Sequence, residues 1–217
     1  MRATQAPRHN RITLPGLEPG GADDLLPGDA LEGRMVGDLD IAGRDLTELD
    51  VEDCTFGTLA ASDADLRGLR IRDSTIEVLD APVLRAPRST WRGVRIASGR
   101  IGSAELYDSV LDDVRIVGAK LGFVNLRSTT MHDVTFEDCV IDELDLGSAQ
   151  LERVAFPGCT IRELGAGGAR LRDVDLRSAS LDGVTDAAQL RGAVLSGDQV
   201  VFMAAAFARA AGVIVED

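Results

Sequence analysis

The stretch Leu171-Arg172-Asp173-Val174-Asp175-Leu176-Arg177-Ser178-Ala179-Ser180-Leu181 places a bulky apolar residue at every fifth position and a smaller apolar one two residues before it, with polar residues elsewhere. The unit reads small or aliphatic, polar, bulky apolar, polar, polar. Followed backwards from Leu181, every fifth residue is apolar as far as Val36, through Leu176, Phe156, Phe136, Leu126, Leu106, Trp91, Ala86, Ala81, Ile71, Phe56 and Ile41, without a one-residue slip. A helix of 3.6 residues per turn would smear such a period around its circumference, and a strand of period two would flip faces at each repeat. The pattern can be buried if five residues form one short side of a coil, with two side chains inward, and a turn leads into the next side. Four sides then close a rung of roughly twenty residues, and about seven to eight rungs stacked at the spacing of paired strands give a rod roughly 35 Å long.

On these residues the chain resembles the pentapeptide-repeat family, whose units read A(D/N)LXX. The resemblance implies an all-β solenoid, a right-handed quadrilateral β-helix, here ending in a C-terminal capping α-helix. The expected organisation is a Pro/Gly-rich N-terminal segment and cap over residues 1–30, the β-helix over 31–184, and a helical C-terminal cap over 185–217. Members of this family include proteins that imitate the width and charge of B-form DNA and bind DNA gyrase or topoisomerase IV in its place. The segment from Asp198 to Phe207 is similar to the terminal helix of a gyrase-inhibiting member.

The smaller inward position carries a second pattern. From Gly99 onward it alternates small residues, among them Ser109, Ala119, Thr129 and Cys139, with Val114, Val124, Val134 and Leu144. Before Leu84 the alternation runs in the opposite phase, Leu39, Leu49, Leu59, Leu69 and Leu79 against Cys54, Ala64 and Ser74. The phase changes within Ala81-Pro82-Val83-Leu84-Arg85-Ala86-Pro87-Arg88-Ser89-Thr90, where two prolines, lacking the amide donor used between rungs, stand five apart. Two readings are open: an extra five-residue unit looped out here, or an uninterrupted coil whose core composition drifts, with proline at its corners. Stacking in steps of twenty also sets Phe136 over Phe156 and Cys139 over Cys159, the thiols packing as small reduced core residues.

An open solenoid exposes backbone and apolar interior at both ends and needs caps. Ser196-Gly197-Asp198-Gln199 reads as a capping box opening a helix with Val200, Met203, Ala204, Phe207, Ala208 and Ala211 on one stripe, which Gly212 ends. Val201 and Phe202 widen its apolar surface. They either pack under residues 213–215 or make the helix, through Val200, Val201, Phe202, Met203 and Phe207, a surface that joins two copies of the chain into a homodimer. At the other end, residues 1–29 hold Pro15, Gly16, Pro19, Gly20, Gly21, Pro27 and Gly28. This segment is expected to wrap the first rung through Ile12, Leu14 and Leu17.

Composition narrows the function classes. With 36 Asp and Glu against 23 Lys and Arg, the formal net charge is -13, which opposes direct binding to nucleic acid or an anionic membrane. A protein partner is expected, with a type II topoisomerase suggested by the resemblance. No secretory h-region follows the polar start and no apolar run would span a bilayer, so a cytoplasmic protein is expected. His9 lies in the tail and His132 at an outward corner, so no catalytic residues, no metal site and no cofactor are expected, and the chain reads as a non-enzymatic scaffold. Carboxylates gather at Asp112, Asp113, Asp133, Glu137 and Asp138, a partner surface at solvent-facing turns. A basic belt, Arg85, Arg88, Arg92, Arg95 and Arg100, contains no acidic residue between its members.

Overall fold

The computed structural model describes residues 3–14, 16–21 and 25–215, so Pro15 of the Pro/Gly-rich segment lies outside the described residues. From Ala30 to Val184 the chain winds as a parallel β-solenoid in which each residue pairs with the one twenty further on. One continuous line runs Ala30↔Asp50↔Arg70↔Thr90↔Val110↔Thr130↔Gln150↔Arg170. There are about 9 turns. This exceeds the seven to eight expected because pairing continues beyond the repeats: Glu18–Pro19 aligns on Arg34 and Met35, and Ala193–Val194 on Val174 and Asp175.

Many corners are made by the residue two past a bulky core position, which there takes a left-handed backbone, although Thr58, Val78, Val83, Phe123, Glu143 and Glu163 at the equivalent position do not. Of the thirteen non-glycine residues with positive φ among the described residues, eight are aspartate: Asp53, Asp63, Asp73, Asp108, Asp113, Asp133, Asp138 and Asp173. Aspartate tolerates this region better than most side chains, because its short polar group can bond nearby backbone. A second set of acids or amides, Asp40, Asp45, Asp65, Asn125, Asp145 and Asp175, accepts the amide of the residue two further on. These bonds satisfy donors where the chain turns away from the ladder. Much of the acidity is therefore demanded by turning the backbone.

Register is unbroken through the proline pair. Leu79 pairs with Gly99, Ala81 with Ile101 and Leu84 with Ala104, while Thr90 to Ile96 pair with both neighbouring turns. No unit is looped out, and the uninterrupted coil is the correct alternative. Proline fits because the ladder donors lie on either side of it. Ala86 donates to the Glu105 carbonyl and Arg88 to that of Tyr107, and the Pro87 carbonyl still accepts from Gly68. Under Pro82, the donors of the turn below are Ala61 and Asp63, which flank the position it stacks on.

The phase change is a redistribution of volume. On several sides a large residue at the earlier inward position goes with a small one at the later position, as in Leu59/Ala61, Leu79/Ala81, Leu84/Ala86 and Leu164/Ala166, whereas Leu39/Ile41, Leu49/Val51, Leu69/Ile71 and Leu144/Leu146 are large at both. The reverse holds for Ala104/Leu106, Ala119/Leu121 and Ala149/Leu151. Nearly all of these are buried, only Leu59 being half-buried. Where a large and a small residue trade places within a side, the volume of that side is conserved, as close packing favours. Where the leucine column Leu49, Leu69 gives way to Ser89, Ser109 and Thr129, the space goes to Trp91. Its indole N–H donates to Ser89 Oγ at 2.7 Å, and Ser89 donates to the Ala86 carbonyl at 2.7 Å. A buried tryptophan thus finds the acceptor that its N–H needs.

Phe136 and Phe156 stack with ring centroids 5.3 Å apart and planes 7° from parallel. Cys139 and Cys159 are buried free thiols, as is Cys54. The Cys159 thiol is pushed up by its bond to Cys139 and by burial, which keeps the proton on sulfur.

The C-terminal end is closed by a 3-10 turn, Ala187–Leu190, and two short helices, α1 (Gly197–Phe202) and α2 (Ala204–Ala210). The Ser196/Gln199 capping box forms, and the Gln199 amide also donates to the Leu176 and Ala179 carbonyls, tying α1 to the last rung. Met203 separates the helices and is buried with Ala187 and Leu190 over the core. At the N-terminal end Leu31 is buried and Leu25 packs on the core cluster, with the Arg44 guanidinium donating to the Leu25 carbonyl. Ile12, Leu14 and Leu17 are only half-buried and do not join that cluster.

Close stacking on one face makes two glycines obligatory. A Cβ on Gly102 would sit 2.6 Å from the Pro82 carbonyl oxygen, and one on Gly122 would run into the Gly102 carbonyl. Gly37 has nothing within 4 Å. Replacing a strand glycine by alanine ordinarily gains about 0.5–1 kcal/mol. Gly122→Ala is expected instead to destabilise by about 1–3 kcal/mol in urea unfolding, as overpacking does, with Gly37→Ala neutral or stabilising as its control.

Candidate functional site

The corner position recurring every twenty residues carries Asp53, Asp73, Gly93, Asp113, Asp133, Arg153 and Asp173, all with left-handed φ. The N-terminal segment lies along this column, running from the late turns towards the early ones. The Gln5 amide donates to Asp173 Oδ1 at 3.1 Å, the Arg8 amide to Asp133 Oδ1 at 2.8 Å, and the Asn10 amide to Asp113 Oδ2 at 3.0 Å. His9 joins two turns, with Nδ1 2.8 Å from Asp113 Oδ1 and Nε2 2.8 Å from Thr135 Oγ1. The Asn10 carbonyl accepts from Arg95 at 2.9 Å. An extended chain advances about 3.3 Å per residue and neighbouring turns lie about 4.8 Å apart, so five residues span the three turns between Asp173 and Asp113.

Two of the expected partner-surface carboxylates are committed to this strap. Asp113 is only 8% exposed, which corrects its placement at a solvent-facing turn. Burial alone would raise its carboxyl, but bonds from His9, the Asn10 amide and Arg95 hold it below the ordinary range. Asp133 is held low chiefly by the Arg153 guanidinium, whose Nε and Nη2 each approach it at 2.7 Å. Asp73, lower on the same corner, is pushed up by burial and by Asp53, Glu52 and Asp113. Asp112 stacks between Arg92 and His132, Glu137 pairs with Arg115, and Asp138 is exposed.

The basic belt is not unopposed, as its sequence suggests. Neighbouring turns bring Asp63 to Arg85 at 2.9 Å and Asp113 to Arg95 at 2.7 Å. Arg88, Arg92 and Arg100 make no ion pair among the described residues, and Arg100 stacks between Asp80 and Lys120. The outward column Glu52, Arg72, Arg92, Asp112, His132, Glu152, Arg172 mixes acidic and basic residues along the rod.

The C-terminal helices split the expected dimer surface. Met203 is buried and Phe207 packs against the core, whereas Val201 and Phe202 are 76% and 70% exposed and Val200 faces out beside them. Residues 213–215 do not cover them, since Val213, Ile214 and Val215 are themselves exposed. Among the described residues, no three His, Cys, Asp or Glu side chains converge as a metal site requires, and no helix is long and apolar enough to cross a membrane.

Sequence reasoning missed the strap, which lies outside the repeat. The available signal was the recurrence of aspartate at 53, 73, 113, 133 and 173 together with a tail holding Arg8, His9 and Arg11. The depressed carboxyls fix the sign of a pH effect. Stability contributed by Asp113 and Asp133 is present above the unfolded value of about 4 and is lost as pH falls through their lower folded values. Amide-proton shifts of Asn10 and Arg8 are therefore expected to titrate with midpoints below the usual aspartate range. In Arg153→Met the Arg8 midpoint should rise, and stability should drop by about 1–3 kcal/mol through loss of a charge-assisted pair.

No family model and no curated protein matches the chain. Among solved structures it is similar to HetL, a pentapeptide repeat protein involved in heterocyst differentiation regulation from the cyanobacterium Nostoc sp. strain PCC 7120. The identity is 15%, over 80% of this chain and 92% of that one, with a TM-score of 0.33. It is also similar to a trypsin-treated form of QnrB1, a plasmid-mediated fluoroquinolone resistance protein, at 14% identity over 83% of this chain and 100% of that one, with a TM-score of 0.28. What relates the chain to the pentapeptide-repeat proteins, distantly, is its own five-residue unit and unbroken twenty-residue register.

Proposed function

We propose that this chain is a non-catalytic scaffold whose acidic outer surface docks a protein partner. The observation that carries this reading is the column of mixed acidic and basic residues from Glu52 to Arg172 on the outside of a rod whose apolar side chains are turned inward. A rigid surface of this kind can match the charge pattern of a partner and disfavour mismatched ones, which is how electrostatics contributes to recognition. The net charge of -13 directs it towards basic surfaces.

A second reading, as a DNA-mimicking modulator of gyrase or topoisomerase IV, draws on the same net charge borne by a rod. Mimicry of a duplex calls for a continuous negative stripe, and Arg72, Arg92, Arg153 and Arg172 interrupt the columns that carry the acids. The first reading is therefore preferred. Two copies of the chain would meet through Val200, Val201 and Phe202, the exposed apolar patch beside the last rung.

The immobilised protein is expected to retain a protein partner saturably, with affinity falling as salt rises, and to retain no duplex DNA; failure to bind any protein at low salt sinks the scaffold reading. In a supercoiling assay with purified gyrase, inhibition at micromolar excess would favour the second reading, and no effect would dispose of it. Light scattering is expected to report a dimer that Val201→Glu with Phe202→Glu converts to monomer. A monomeric parent would remove the dimer.

A further inference from the structure

The corner column holds an extended peptide mainly through that peptide's backbone. Three carboxylates on three different turns accept the amides of Gln5, Arg8 and Asn10, and the His9 imidazole bridges two turns between Asp113 and Thr135. Every extended segment presents such amides, so recognition of this kind tolerates many sequences, as strand-addition sites do. None of the described residues from 3 to 14 is buried. The strap is thus seated by polar contacts at the surface, which water or a competing chain can replace, and it lacks the apolar anchor that would make it part of the core.

Charge selects the occupant. The column carries Asp53, Asp73, Asp113, Asp133 and Asp173 against Arg153, with Arg95 beside it, and the strap brings Arg8, His9 and Arg11. We propose that this corner is a docking groove for an extended, cationic peptide segment of a protein partner, and that the chain's own residues 5–10 occupy it as a competing strap. The proposal rests on the scaffold reading and names the surface and the partner chemistry. Docking of a partner then requires displacement of the strap, so that the intramolecular segment sets the threshold for binding, at an effective concentration fixed by its short tether.

The test uses the full chain and a fluorescein-labelled synthetic peptide with the sequence of residues 3–14, followed by fluorescence anisotropy. Gln5→Pro, Arg8→Pro and Asn10→Pro together delete the three strap amides while lying outside the coil, so circular dichroism of the β-solenoid is expected to be unchanged. The peptide should bind this opened form at least tenfold tighter than the parent. Adding Asp113→Asn and Asp133→Asn, which keep a side chain suited to the left-handed corner, should weaken binding at least tenfold. A peptide with its Arg8, His9 and Arg11 replaced by glutamate should not bind. Equal binding to parent and opened form, or binding that survives both asparagine substitutions, overturns the groove. If the peptide fails to bind while a protein partner is retained equally by both forms, the groove falls and the scaffold reading stands. If the peptide binds the opened form as predicted but no protein is retained by either form, the groove's peptide chemistry is upheld and the scaffold reading falls.

Discussion

Everything in this molecule depends on the pairing of each backbone residue with the one twenty positions away. The ladder from Ala30 to Arg170 satisfies main-chain donors and acceptors between turns, and it can do so only if every turn contains the same number of residues. A single inserted residue would rotate all later side chains out of register and carry core residues to the surface, as a slip does in any sheet. The constraint explains why the proline pair is absorbed at positions flanked by the ladder donors. It also explains why large and small residues trade places within a side, Leu79 with Ala81 against Ala119 with Leu121, instead of enlarging a turn.

The same geometry generates the acidic surface. Many of the corners use left-handed residues, others use local acceptors for amides that leave the ladder, and aspartate supplies both. A carboxylate on such a rod is therefore ambiguous as a functional signal. What distinguishes Asp113 and Asp133 from the other corner acids is the company they keep: Arg95, Arg153 and a peptide laid across them. The arginines that look like an unopposed belt along the chain are partly answered by acids one turn away, because neighbours in space on a solenoid are twenty residues apart in sequence.

The two ends are closed by different means. At the C-terminus Gln199 bonds carbonyls of the last rung and Met203 covers its apolar interior, yet Val201 and Phe202 are left facing out. At the N-terminus Leu25 and Leu31 cover the first rung, and residues 5–10 lie along the side of the rod. An elongated repeat protein has a long lateral surface relative to its ends, so a tail of this length finds more hydrogen-bonding partners along a corner than across an end.

By itself the sequence determined the solenoid, its register, the stacked pairs Phe136 with Phe156 and Cys139 with Cys159, and the capping box at Ser196 and Gln199. All of these follow from a period that is strictly local and from side-chain chemistry a few residues apart. The tertiary structure alone decided that residues 81–90 stay in the coil, that Asp113 is buried, that Arg85 and Arg95 have acidic partners, and that the N-terminal segment lies along the aspartate corner. The period sets which residues become neighbours across turns, but which of their side chains pair, and where a non-repeating tail finds acceptors, is decided by groups that meet only in the folded chain.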